Sequence, residues 1–155
     1  MTDKDFMEKA ISLSQENIKT GGGPFGAIIV NNGKIISEGC NRVTSENDPT
    51  SHAEINAIRK AAKSLGTFNL SGCTIYTSCE PCPMCLGAIY WAHLDKVFYG
   101  ASREDAKEVG FDDDFIYNEI QLQNEKRSIP MENLLQNSAI QTFKSWARQT
   151  DKIEY

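Results

Sequence analysis

The sequence predicts an α/β domain with helices packed against a sheet. Segments with helical apolar spacing alternate with short β-branched runs, in the order α-β-β-α-β-α-β up to Gly100. Glycines and prolines punctuate the boundaries between them. The 155 residues, 40 % apolar and 24 % charged, are enough to bury a sizeable core in one domain spanning 1–155. Strands separated by helices favour parallel neighbours with helices on the sheet faces.

Each element has a local cause. Over residues 3–19, Phe6, Met7, Ala10, Ile11 and Ile18 lie near one helical face, Thr2 and Asp5 stand in capping-box positions, and Gly21-Gly22-Gly23 ends the run. "PFGAIIV" and "KIISEG" flank Asn32-Gly33, which reads as a hairpin turn. "SHAEINAIRKAAKSLG" is a helix stopped by Gly66, and "CTIYT" is a short buried strand. Cys82 to Ala92 has helical composition and is entered through Pro81 and Pro83, since proline suits a first turn. "DKVFYG" is a further strand. After Gly100 the chain becomes acidic and loop-like to residue 120, "RSIPMENLL" reads as an irregular strand, and "NSAIQTFKSWARQ" is a last amphipathic helix. No repeat, low-complexity tract or flexible linker interrupts this order.

Charge and cysteine usage narrow the function. The net charge is −5, with seven acidic residues between Glu104 and Glu119 against the single base Lys107. There is no Lys/Arg-rich run, so a phosphate backbone would be repelled and no nucleic-acid partner is expected. A small neutral substrate fits better. The N-terminal residues lack a basic region followed by an apolar run, and no apolar stretch approaches the roughly 20 residues of a membrane span, which predicts a cytoplasmic chain. Five cysteines, three of them within seven residues, point to metal or thiol chemistry rather than a disulfide framework.

Those three are Cys79, Cys82 and Cys85 in "YTSCEPCPMCLGAIYWAH". Cys82 and Cys85, at i and i+3 on a helix, share a face and can address one ion. Two helix N-termini converging from neighbouring units bring His52 to the same point, through Nδ1 or Nε2, and their dipoles favour thiolates. This gives one Zn2+ on His52, Cys82 and Cys85. If Cys79 also bound, the shell would be closed and structural; if not, the fourth position is open and catalytic. Cys79 precedes Glu80-Pro81 at a strand end and need not share the helix face. Glu54, two residues after His52, is the catalytic candidate, because an open zinc site needs a base to move the proton of its water.

The pairing of "HAE" at 52–54 with "PCPMC" at 81–85 resembles the signature of zinc-dependent nucleobase deaminases. The whole chain resembles small bacterial guanine deaminases of the cytidine-deaminase superfamily, through "GGGPFGAIIV", "NDPTSHAEINAIRKA", "YTSCEPCPMCLGAIYWA", "GFDDDFIYNEI" and the terminal "EY". The first three blocks are shared loosely with tRNA adenosine deaminases; the last two single out the guanine enzymes. The resemblance implies a three-layer α-β-α fold around a mixed sheet and conversion of guanine to xanthine and ammonia. It implies that Phe25 and Trp91 line the purine slot, that Asn41 and the Ala53 N–H hold the base, and that Phe111 stacks on it. One aspartate of the "FDDD" run would contact the 2-amino group and assist its protonation; register favours Asp113, with Asp112 and Asp114 as the alternatives. Tyr155 would close the pocket, and the family's exchange of the segment over 130–155 between subunits implies a homodimer. Two rivals stand beside this reading: a tRNA adenosine or cytosine deaminase on the same zinc, and a structural Cys3His binding module.

Overall fold

The computed structural model describes the whole chain, Met1–Tyr155. It divides into two compact units, Met1–Ile116 and Tyr117–Tyr155, so the second begins ahead of the tail read from the sequence as starting at 130.

The first unit opens with α1, Asp3–Lys19, whose N-terminus is closed by a reciprocal capping box: Asp5 N–H donates to Thr2 Oγ1 at 3.3 Å and Thr2 N–H to Asp5 Oδ2 at 2.6 Å. Strands β1, Gly26–Asn31, and β2, Lys34–Cys40, form an antiparallel hairpin. Its two-residue turn has Asn32 at φ 46° and Gly33 at φ 72°, the left-handed pair that matches strand twist. A single turn, α2, Val43–Glu46, leads to α3, Ala53–Leu65, which ends at Gly66 with φ 66°. Then follow β3, Cys73–Cys79, α4, Pro83–Trp91, and β4, Lys96–Ala101.

The sheet order is β2-β1-β3-β4. Only β3 and β4 pair in parallel, while β1 is antiparallel to both its neighbours. The expectation of parallel neighbours therefore holds for one pair. The hairpin turns the chain back and puts β2 at the edge, so α3 must carry it across β1 before β3 can join. The result is the mixed sheet with helices on both faces.

Strand β1 is the centre of the packing. Its alternate side chains serve opposite layers: Ile28 and Val30 pack with Phe6, Ala10 and Tyr76 under α1, whereas Ala27 and Ile29 pack with Ala53, Ala57, Ala61 and Ile89 under α3 and α4. Fully burying each isoleucine contributes roughly 1.5–3 kcal/mol. The alanine stripe at 53, 57 and 61 lets α3 lie close to the sheet, and Gly39 completes the fit. A Cβ at Gly39 would strike the Ala53 carbonyl and lie 2.6 Å from Ala57 N. Ser37 Oγ donates to Ala57 O at 2.7 Å and pins the same contact. Gly39→Ala is accordingly expected to destabilise the fold by about 1–3 kcal/mol, the usual cost of overpacking, and a chemical-denaturation midpoint measures it.

Two segments depart from the sequence expectation. Residues 101–120, expected as loop, contain α5, Arg103–Glu108, and α6, Asp114–Gln121. Ser102 and Asp105 form a second capping box, and Asp112 Oδ1 accepts the Phe115 N–H at 3.2 Å, so the acidic residues cap helices instead of merely facing solvent. In the second unit "RSIPMENLL" forms no strand. The Arg127 guanidinium donates to the Glu119 and Ile120 carbonyls and Ser128 N–H to the Glu119 carboxylate, bonds that shape a loop, followed by α7, Gln136–Arg148.

Candidate active site

The sheet register gathers the site at one end of the strands. Gly26 pairs with Cys40 and Ala27 with Thr77, which sets Phe25 and Asn41 just beyond the ladder at the end of β3 where Cys79 stands. The N-termini of α3 and α4 face the same end, with His52 and Cys82 as their N-cap residues in extended backbone. The His52 side chain makes no capping bond to its own helix, and the Cys82 sulfur turns toward Cys85, one turn along α4, and His52.

His52, Cys82 and Cys85 form one cluster, their ligating atoms all within 4.8 Å of each other. His52 Nδ1 lies 3.5 Å from Cys82 Sγ and 3.5 Å from Cys85 Sγ. The nitrogen left undecided by the sequence is thus Nδ1. Zn–N and Zn–S bonds of about 2.0–2.1 and 2.3 Å at a tetrahedral angle require an N···S separation of about 3.5 Å. The cluster fits zinc.

The electrostatics agree with that donor set. Cys82 is lowered to about 4, first by the hydrogen bond from the Cys85 thiol and then by His52, so it stands ready as a thiolate. Cys85 holds the shared proton, its pKa raised by that same bond and by burial. His52 is raised, chiefly by its bond to Cys82. A metal replaces those protons.

Glu54 sits one helical step inside, buried with 6 % exposure. Cys85 Sγ is 3.4 Å from Glu54 Oε2, and Thr77 Oγ1 is 3.4 Å from Oε1. Burial raises the Glu54 pKa above the usual carboxylate range, which suits a group that must both take and return a proton.

Cys79 is outside the cluster. Its thiol points to the Ser102 carbonyl at 3.8 Å, and burial pushes its pKa up to about 12. Cys79→Ser is expected to keep zinc near one per subunit, as read by metal analysis; loss of the metal would sink the three-ligand site.

A cavity of about 650 Å³ opens over this centre. Phe25, Asn41, His52, Glu54, Phe111 and Asp113 all line it, and Phe25 meets Phe111 edge-on at 4.9 Å between centroids. The three aspartates separate. Asp114 turns to Arg103 at 3.8 Å and Lys107 at 3.6 Å. Asp112 lines the cavity but caps α6 and lies 3.9 Å from Lys107. Asp113 lines it with its pKa raised by burial. Ala53 is fully buried at the first turn of α3, where its N–H has no partner within the helix.

Two expected residues are absent from the lining. Trp91 is 65 % exposed in the last turn of α4 and is not part of the lining. Six residues separate it from Cys85, about 9 Å along a helix whose other end faces the site. Tyr155 ends the second unit and is 74 % exposed, while the lining comes wholly from the first.

Thr77 and Glu80 belong to the site without having been legible in the sequence. Thr77 meets Glu54 across 23 positions, a contact no local pattern announces. Glu80 lines the cavity and accepts the Arg103 N–H at 3.1 Å; a capping signal in "SRED" was the available hint that Arg103 begins a helix there.

Comparison with known proteins adds an independent line. Residues 1–101 match the model of the cytidine and deoxycytidylate deaminase zinc-binding region. The chain is 52 % identical to guanine deaminase of Bacillus subtilis (strain 168), covering 100 % of both. It superposes on the X-ray structure of guanine deaminase from Bacillus subtilis with a TM-score of 0.97, over 100 % of this chain and 99 % of that one. A guanine deaminase structure from Nitrosomonas europaea is 34 % identical, with TM-score 0.70 over 72 % of this chain and 65 % of that one. A tRNA-specific adenosine deaminase of Bacillus subtilis is 40 % identical over 99 residues, 64 % of this chain and 62 % of its own.

Proposed function

The chain belongs to the cytidine and deoxycytidylate deaminase zinc-binding family, and we infer that it hydrolyses guanine to xanthine and ammonia. It is a zinc-dependent hydrolase acting on the C–N bond of a cyclic amidine. The observation that carries the choice of substrate is the extent of likeness: the guanine deaminase match spans the whole chain, whereas the tRNA deaminase match stops at 64 % of it.

His52, Cys82 and Cys85 would hold zinc, which would supply the Lewis acidity that makes water a nucleophile near neutral pH. Glu54, buried beside the cluster, accepts a proton from the attacking water and returns it to the substrate as C2 changes from trigonal to tetrahedral. Phe25 and Phe111 present aromatic surface to the flat ring, and Asn41 and the Ala53 N–H hydrogen-bond its edge. Asp113, its pKa raised by burial, hands a proton to the departing 2-amino group; as the C2–N bond breaks and ammonia leaves, the C2 hydroxyl becomes the xanthine carbonyl and its proton returns to Asp113.

Tyr155 meets the base in a homodimer, with the tail over 130–155 exchanged between subunits. What supports the exchange is the apolar surface of the tail: Leu134, Leu135, Phe143 and Ile153 are all exposed, and α7 buries none of its residues. Removing the last few residues, Tyr155 included, is expected to cut guanine turnover while the melting temperature holds. A truncated chain with full activity would remove the tail from the site. A cytoplasmic location goes with this reading, supported by the two free thiols, Cys82 and Cys85, that the site needs reduced. No helix is long and apolar enough to cross a membrane.

The test is ammonia release by zinc-analysed protein on guanine, cytosine, adenine and a tRNA anticodon stem-loop in parallel. Guanine turnover with xanthine as product is expected. Turnover of the stem-loop in its place would keep the zinc chemistry and overturn the substrate.

A further inference from the structure

We propose that Asn17, on the last turn of α1 and outside the cavity lining, is a positioning residue that sets the base-recognition side of the site. Its Nδ2 donates to the Gly23 carbonyl at 2.8 Å and to the Asn41 carbonyl at 2.9 Å. A side-chain amide has two N–H donors, and these two bonds use both. The backbone carbonyl of Asn17 meanwhile accepts the Gly22 N–H at 2.9 Å, so the same residue folds the glycine loop back over its own side chain.

The loop composition follows from this clamp. A Cβ at Gly22 would land on the Asn17 amide. At Gly23 it would come within 3.2 Å of the Asn41 side chain, so the loop and Asn41 are in direct contact. Gly23 O also accepts the Phe25 N–H at 2.8 Å, and Phe25 O accepts the Asn41 N–H at 3.2 Å. Asn17 therefore closes a ring of hydrogen bonds through Gly23, Phe25 and Asn41. All three line the cavity, Phe25 and Asn41 as base contacts and Gly23 as the loop residue that joins them to Asn17. The Asn41 Oδ1 accepts the Val43 N–H at 3.3 Å, which fixes the amide with its Nδ2 as the remaining donor. Asn17 sets where that donor stands. A shift of the Asn41 backbone would misplace it without touching zinc or Glu54.

This inference rests on the reading of Phe25 and Asn41 as guanine contacts, and a double-mutant cycle separates the two. Guanine kinetics and zinc content are measured for wild type, Asn17→Ala, Asn41→Ala and the double variant. Asn17→Ala is expected to raise KM by about tenfold, the scale of one lost hydrogen bond, with kcat within about twofold and zinc unchanged. In the Asn41→Ala background the same substitution should lower kcat/KM by less than about twofold, because its route to the base is already gone. Equal losses in both backgrounds, or a fall in kcat or zinc with KM unmoved, would overturn the proposal. Gly22→Ala displaces the Asn17 amide without removing it and is expected to give the same rise in KM. It stands in should Asn17→Ala fail to fold, and a Gly22→Ala enzyme with wild-type KM would equally count against the clamp. Wild type inert on guanine would overturn the reading of the site itself, whereas active wild type beside an unaffected Asn17→Ala would overturn only the role of Asn17.

Discussion

Glu54→Gln is expected to bind zinc at one per subunit and to lose turnover by roughly 10²–10⁴-fold, the range of general acid–base catalysis. That loss corresponds to about 2.7–5.4 kcal/mol of transition-state stabilisation. Glutamine keeps the size of the side chain and can still meet Thr77 and Cys85, which lie 3.4 Å from the two carboxylate oxygens. What it removes is the capacity to hold a proton. The burial that raises the Glu54 pKa is also what makes the carboxylate useful, since a fully solvated one would stay ionised and be a poor donor. Guanine kinetics paired with metal analysis on one preparation decides the matter. A variant retaining a tenth or more of the activity would remove Glu54 as the proton carrier, and a variant without zinc would assign the defect to the metal site.

The second large effect is expected from Cys85→Ser. Cys85 is fully buried at the third position of α4, 3.5 Å from His52 Nδ1. A serine hydroxyl does not ionise as a thiol does, so one of three protein ligands is lost. Changes to residues that merely support a ligand cost about 10–100-fold in metal affinity, and losing the ligand itself is expected to cost more. Zinc content and guanine turnover should therefore fall together. The contrast with Cys79→Ser, six positions earlier and expected to keep its metal, makes the pair informative. Retention of zinc in Cys85→Ser with its loss in Cys79→Ser would exchange the roles of the two thiols.

Much of this was readable in order along the chain. Helix ends at Thr2, Gly66 and Pro83 and the turn at Asn32-Gly33 are local events, decided by side chains within a few residues of the backbone they shape. The metal ligands were legible for the same reason, because an i, i+3 pair of thiols at a helix start shares a face whatever surrounds it. The acidic stretch after Gly100 misled because seven carboxylates look like a solvated loop until their capping bonds are seen.

Local pattern determined the main helices and strands up to Gly100, the last helix α7, and which residues can ligate zinc. The tertiary structure decided everything that depends on long separations: β1 antiparallel between β2 and β3, Nδ1 as the His52 ligand, Asp113 in the cavity with Asp114 turned away, and Trp91 on the outside. Asn17 belongs to the same class. The physical reason is that a periodicity fixes a face of an element but not what that face meets, and Asn17 and Asn41, 24 positions apart, are brought together only when the hairpin packs on α1.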